Sequence, residues 1–133
     1  MKYIPFFLFS FLFILASCSE TQSLASAKAS NPNQIENPDP DITLTEHLRN
    51  VPGVQVSGSG AGATIRVRGN VSINGSNDPL FVLDGQVVEG GYANLFGMID
   101  VGTIKRINVL KDASSLASYG VRGSAGIIEI ETL

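Results

Sequence analysis

"PLFVLDGQVV" (Pro79–Val88) is the strongest local signal in the chain and predicts a β-hairpin. Two apolar runs flank the pair Asp84 and Gly85. This pair is favoured in two-residue hairpin turns, because both central residues of such turns need a positive φ. The stretch therefore predicts two antiparallel strands that meet at Asp84 and Gly85.

Further strands are predicted on both sides of this hairpin. Alternation of apolar and polar residues is the pattern of a strand with one buried face. It is clearest in the last strand, where Ile128 and Ile130 are predicted to face the core and Glu129 and Glu131 the other side. The predicted strands are Val54–Gly58, Thr64–Gly69, Ile104–Leu110 and Ala125–Leu133.

Short helices are predicted between the strands. Thr43 can cap the first, and Glu46 can complete a capping box from the third helical position. Asp112 is a candidate N-cap of another helix, which Gly120 is expected to end. Because strands and helices alternate without a regular βαβ repeat, we predict an α+β domain, a small mixed β-sheet with short helices, over residues 42–133.

The residues before this domain have the features of a signal peptide followed by a tether. In residues 1–17, Lys2 precedes an apolar run that is shorter than the roughly 20 residues of a transmembrane helix. Small residues then lead to Cys18, in the arrangement of a bacterial lipoprotein signal whose cysteine is lipidated. An ordinary secretory signal or membrane anchor is the alternative. Residues 18–41 are polar and contain several prolines, so we predict a flexible tether.

Composition and motifs argue against several function classes. A net charge of −3 is not the basic balance of a nucleic-acid binder. Cys18 is the only cysteine and His47 the only histidine, which leaves no cysteine metal site and no histidine pair. "GSGAGA" (Gly58–Ala63) has the letters of a dinucleotide-binding turn, but a strand rather than the required helix is predicted after it. We therefore predict no enzymatic activity and no cofactor.

Two groups of charged residues have more than one interpretation. Arg66 and Arg68 alternate with Ile65 and Val67, which we expect to lie in the core. The two arginines are therefore either the solvent face of an amphipathic strand or a group of planar donors for a partner's carboxylates. Glu129 and Glu131 are about 7 Å apart along their strand. They are either a solvent-facing edge opposite arginines or an acid/base pair.

Taken in order, several blocks resemble the plug domain of TonB-dependent outer-membrane receptors. The blocks are "VPGV", "IRVRG", "PLFVLDG", "VLKDASSLASYG" and "GIIEIET", within Leu44–Thr132. The resemblance is closest to the SusC-like receptors that import glycans and peptides in Bacteroidota. It implies a plug-domain-like fold and a non-enzymatic role in transport, in which the plug closes a β-barrel and rearranges when substrate and TonB act on it.

The resemblance and the predicted lipidation together lead to a functional hypothesis. A barrel normally follows a plug, and here the chain ends at Leu133, so we expect a stand-alone lipoprotein on the periplasmic side of the outer membrane that engages a barrel or another envelope protein. A periplasmic module for an iron chelate or a glycan, and a truncated receptor fragment, are the alternatives. The residues expected to face a partner are Arg66, Arg68, Arg106, Arg122, Glu129 and Glu131.

Overall fold

The computed structural model describes residues 31–67 and 77–133, which form seven strands and three short α-helices. The predicted signal peptide, Cys18 and Arg68 lie outside the described residues. The strands are β1 Gln34–Glu36, β2 Val54–Ser57, β3 Thr64–Val67, β4 Leu80–Leu83, β5 Gln86–Val87, β6 Ile104–Leu110 and β7 Ile127–Thr132. The α-helices are α1 Leu44–Arg49, α2 Gly91–Met98 and α3 Ala113–Leu116, and 3-10 helices span Gly60–Gly62, Val101–Thr103 and Ala117–Gly123.

The strands form two sheets. The larger has five strands in the order β1-β6-β7-β4-β5, and the smaller is the β2–β3 hairpin. Because β4 pairs with β7 in parallel while the other pairs are antiparallel, the larger sheet is mixed, as predicted. The α+β class is confirmed. The division into two sheets was not predicted, since the alternation within a strand does not say which strand it pairs with.

The β4–β5 hairpin has the predicted turn. Asp84 and Gly85 have φ angles of 48° and 80°. The side chain of Asp84 also accepts hydrogen bonds from the backbone N–H and the hydroxyl of Thr132, each 2.8 Å long. The turn is therefore tied to the end of β7, and the two hydrogen bonds lower the pKa of the Asp84 carboxyl.

The N-terminal boundary of the folded region differs from the prediction. Gln34–Glu36, within the predicted tether, pairs antiparallel with β6 as the edge strand β1. Asn37 N–H donates to the Lys105 carbonyl and Val109 N–H to the Asn33 carbonyl, both at 2.8 Å. The fold therefore begins before Ile42. This polar segment has no strong strand pattern of its own, and its backbone is ordered by hydrogen bonds to β6.

The first helix follows the prediction in part. The Thr43 hydroxyl accepts a 3.3 Å hydrogen bond from the Glu46 N–H, so the predicted cap is present. The Glu46 side chain instead meets Arg49 at 2.6 Å. Leu44 and Leu48 are buried, and His47, buried beside them, donates from Nε2 to the Asp39 carbonyl at 2.9 Å. This bond fixes the connection from β1 to α1.

The helix predicted from Asp112 to Gly120 is shorter than expected. Asp112 occupies the N-cap position but makes no side-chain capping bond, and α3 ends at Leu116. The chain continues as a 3-10 helix that is interrupted at Gly120, where φ is 60° and ψ is −148°. This backbone conformation is accessible to glycine and bends the chain before the last strand.

The main core lies between the larger sheet, helices α1 and α2, and the β2–β3 hairpin. Ile65 and Val67 of β3 are buried in it, as predicted, as are Ile128 and Ile130 of β7. A smaller cluster covers the opposite face of the larger sheet, where Val82, Leu116 and Ile127 pack together. Both faces of the central strands are therefore covered at this end of the sheet.

Candidate partner-binding surface

Arg106 and Glu131 form an ion pair on the larger sheet. They are directly opposite each other in the register of β6 and β7, and Arg106 Nη2 donates to Glu131 Oε2 at 2.7 Å. The two side chains are 34% and 49% exposed. An ion pair this exposed contributes at most about 1 kcal/mol to stability. Its orientation towards solvent leaves both groups within reach of a partner.

Glu129 is held by a different set of contacts. Its carboxylate accepts a 2.6 Å hydrogen bond from the Tyr119 hydroxyl and a 3.3 Å bond from the Asn108 amide. The bond to Glu129 raises the pKa of Tyr119, because it stabilises the protonated phenol. Glu129 therefore accepts hydrogen bonds from neutral donors, whereas Glu131 pairs with the guanidinium of Arg106. The two carboxylates have separate partners and do not form the acid/base pair that was one interpretation of their spacing.

Arg122 forms another exposed ion pair, with Glu89, which no sequence motif marks. Arg122 Nη2 donates to Glu89 Oε1 at 2.6 Å, and the side chains are 59% and 80% exposed. The pair joins the segment before β7 to the segment after β5. The residues are 33 positions apart, so no local pattern could have indicated the contact.

Arg66 lies apart from these residues, on the outer face of the β2–β3 hairpin. It is exposed and lies opposite Gln55 in the register of the two strands. Within the described part of the chain, Arg49, Arg106 and Arg122 each have a carboxylate within 2.7 Å, whereas Arg66 has none within ion-pair distance. Arg66 is thus not paired with Glu129 or Glu131. Arg68 lies outside the described residues.

Two depressions adjoin the hairpin. One, of about 260 Å³, is lined by side chains of β2 and β3 that are mostly polar, including Gln55 and Arg66. The other, of about 350 Å³, lies between the Gly60–Gly62 turn and the start of α2, with Phe81 and Tyr92 at its base. Burial raises the pKa of Tyr92, and its 2.7 Å hydrogen bond with Thr45 opposes that effect. Both depressions are open to solvent rather than enclosed.

Neither a membrane span nor a metal cluster is present in the described part of the chain. None of its helices has the length and apolar character needed to cross a bilayer. Across residues 31–67 and 77–133, no group of three or more His, Cys, Asp or Glu residues could hold a metal ion.

The arrangement of helices and strands agrees with a known family. The family model described as TonB-dependent Receptor Plug Domain matches residues 19–127. The chain belongs to the TonB-dependent receptor plug-domain family. This confirms the resemblance inferred from the sequence blocks, and it places the plug domain in a family of nutrient-uptake receptors.

Relatives of this plug domain are receptors and transporters. It is 44% identical over 113 residues to a TonB-dependent receptor of Formosa agariphila, a match that covers 84% of this chain and 11% of that protein. It is 48% identical over 77 residues to the TonB-dependent receptor SusC of Bacteroides thetaiotaomicron, covering 55% of this chain and 8% of SusC. The chain thus spans about a tenth of the length of these relatives.

Solved structures agree on the fold. The RagAB peptide importer in its open-open state aligns with a TM-score of 0.61 and 24% identity, over 75% of this chain and 12% of that chain. The siderophore receptor PirA of Pseudomonas aeruginosa aligns with a TM-score of 0.54 and 25% identity, over 75% of this chain and 17% of that chain. The same fold is therefore present within much larger transport proteins.

Proposed function

We propose that this plug domain acts in TonB-dependent nutrient uptake by engaging an outer-membrane β-barrel or another envelope protein, and that a lipid on Cys18 holds it on the periplasmic side of that membrane. The family match over residues 19–127 is the observation that carries the proposal. Its relatives include TonB-dependent receptors and a vitamin B12 transporter of Vibrio vulnificus, which favours transport over catalysis.

The charged side chains outside the core are the proposed contact residues. Arg66 supports this role most directly, since it is exposed and has no carboxylate in ion-pair distance among the described residues. Exposed ion pairs contribute little to folding, so they are available for exchange with a partner's charges. The proposed contact residues are Arg66, Arg68, Arg106, Arg122, Glu129 and Glu131.

The partner is tested by purifying the tagged full chain from native envelopes. Recovery of an outer-membrane β-barrel protein is the expected result, and its absence would count against the proposal. Arg66→Glu should lower the recovered amount, because it reverses the charge at the proposed contact. Lys105→Glu is the matched control, since it makes the same charge change at an exposed position on β6.

Lipid attachment is tested separately by metabolic labelling with a fatty acid. Wild-type chain should incorporate the label and sediment with membranes, because several acyl chains give stable anchoring. Cys18→Ala should remove the label and release the chain into the periplasm. Labelling that survives this substitution would exclude Cys18 as the site.

A second candidate function is binding of a small ligand such as an iron chelate or a glycan. The 350 Å³ depression beside Phe81 and Tyr92 favours it, because its volume is in the range of small-molecule sites. Thermal unfolding in the presence of such ligands tests the idea. A reproducible rise in the unfolding temperature would support ligand binding. No change with any of the tested ligands would count against this second function.

A further inference from the structure

The turn of the β4–β5 hairpin needs a residue pair that is also chemically labile. Asp84 and Gly85 have φ angles of 48° and 80°, a conformation that favours aspartate, asparagine and glycine. In an Asp-Gly pair the glycine has no side chain to shield its amide nitrogen, so this nitrogen can attack the carboxyl carbon of the aspartate. The pair that suits the turn is therefore also a pair that is prone to rearrangement.

Both residues of the turn are open to solvent. Asp84 and Gly85 are exposed, and a Cβ added at Gly85 would have nothing within 4 Å. Neighbouring side chains therefore do not shield the Gly85 nitrogen, and they do not exclude the water that the rearrangement needs. Any restraint on the reaction has to act through Asp84.

Thr132 holds both oxygens of the Asp84 carboxylate. Its backbone N–H donates to Oδ1 and its hydroxyl to Oδ2, each at 2.8 Å. The Asp84 N–H donates to the Ile130 carbonyl at 2.9 Å, which fixes the backbone of the same residue against β7. The carboxyl group therefore cannot turn towards the Gly85 nitrogen unless it gives up its bonds to the end of β7.

The rearrangement also needs the protonated carboxyl group, from which one oxygen can leave as water. The Gly85 nitrogen bonds to Cγ of Asp84, and its proton and the carboxyl hydroxyl depart as water, which closes a succinimide ring. Water then adds to one of the two ring carbonyls. Addition at Cγ restores aspartate, and addition at the main-chain carbonyl gives isoaspartate. Because hydrogen bonds from Thr132 stabilise the ionised carboxyl and lower its pKa, they oppose ring closure.

We propose that Asp84–Gly85 is a site of isoaspartate formation that Thr132 keeps closed in the folded domain and that opens when the end of β7 detaches. This inference goes beyond the proposed function and does not depend on a partner. Isoaspartate has one more carbon in its backbone and carries its carboxylate on Cα, so it fits neither the two-residue turn nor the bonds to Thr132. Detachment of β7 is thereby recorded as a lasting change at the turn.

The site is tested by incubating the purified full chain at neutral pH, either folded or in urea, and mapping its peptides for isoaspartate. The map separates residue 84 from Asn74–Gly75, an Asn-Gly pair in the sequence that undergoes the same ring closure. Isoaspartate at residue 84 should form at least about 10-fold more slowly in the folded chain, because the contacts of the turn have to open first. Equal rates in the two conditions would overturn the proposal.

Three variants test whether Thr132 is the residue that keeps the site closed. Thr132→Val keeps the branched shape but loses the hydroxyl donor, so the rate in the folded chain should rise about 3-fold or more while the rate in urea stays the same. Thr132→Ser keeps the donor and should react like wild type. Thr43→Ala is the matched control, since it removes a hydrogen bond in the cap of α1 instead, and it should also react like wild type. An unchanged rate in Thr132→Val, or an equal rise in Thr43→Ala, would contradict the role of Thr132.

Discussion

Gly126→Ala is predicted to destabilise the domain strongly, because Gly126, next to the larger sheet, lies against Val67 of the smaller sheet. Gly126 precedes β7 and has a φ of 101°, a conformation that residues with a side chain rarely adopt. A Cβ built there would lie 2.6 Å from Cβ and 2.8 Å from Cγ1 of Val67, which belongs to β3 in the smaller sheet. The substitution therefore introduces a strained backbone and a steric clash at the junction of the two sheets.

The expected loss can be worked out from these two effects. The backbone conformation costs about 1–2 kcal/mol for a residue with a Cβ. Inserting a methyl group into a closely packed contact costs about 1–3 kcal/mol more. Together they lower the free energy of unfolding by about 2–5 kcal/mol, a large share of the roughly 5–15 kcal/mol typical of a domain. The melting temperature should fall by about 8 °C or more.

Urea unfolding followed by circular dichroism measures this loss. Gly97→Ala is the matched control, since nothing lies within 4 Å of the added Cβ and the site is in helix α2. That control should be neutral or stabilising by up to about 1 kcal/mol. In a Val67→Ala background the cost of Gly126→Ala should shrink in part, because the two Cγ contacts are gone while the 2.6 Å approach to the Cβ of residue 67 and the strained φ remain. An unfolding midpoint of Gly126→Ala at the same urea concentration as wild type would show that neither the backbone strain nor the clash with Val67 is present.

Three further predictions concern hydrogen bonds. Asp84→Asn should lower stability at neutral pH, and the difference from wild type should narrow in acid. Hydrogen bonds from Thr132 lower the folded-state pKa of Asp84, so the stabilisation by its carboxylate is complete above the ordinary carboxyl pKa and is lost as the pH falls through the folded-state pKa. Unfolding curves at several pH values test this difference. Thr45→Val should cost about 1–3 kcal/mol in urea unfolding, because it leaves the buried Tyr92 hydroxyl without its 2.7 Å partner, and a loss below the error of the measurement would contradict that contact. Thr43→Ala should cost about 1 kcal/mol by removing the cap of α1, and an unchanged unfolding midpoint would show that the cap contributes nothing.

The hairpin and the buried faces of the strands could be predicted from sequence because their causes are local. Asp84 and Gly85 tolerate the positive φ angles that the turn needs, and alternation placed Ile65 and Val67 in the core. Strand β1 could not be predicted, because it has three residues, two of them polar, and depends on pairing with β6.

The surface contacts were beyond sequence reasoning for a related reason. Which arginine meets which carboxylate depends on strand register and on chain segments that are far apart. Arg106 and Glu131 are 25 positions apart, and Arg122 lies 33 positions from Glu89. Asn108 and Tyr119, the partners of Glu129, carry no motif that marks them.

We propose that this plug domain acts by engaging an outer-membrane β-barrel or another envelope protein. The most direct test is native mass measurement of the tagged full chain, purified from gently solubilised outer membranes of cells that express it. We expect a complex whose mass equals that of the chain plus its envelope partner, with a β-barrel protein as that partner. A chain that is recovered only at its own mass, from membranes in which barrel complexes are otherwise intact, would contradict the proposed engagement of a partner.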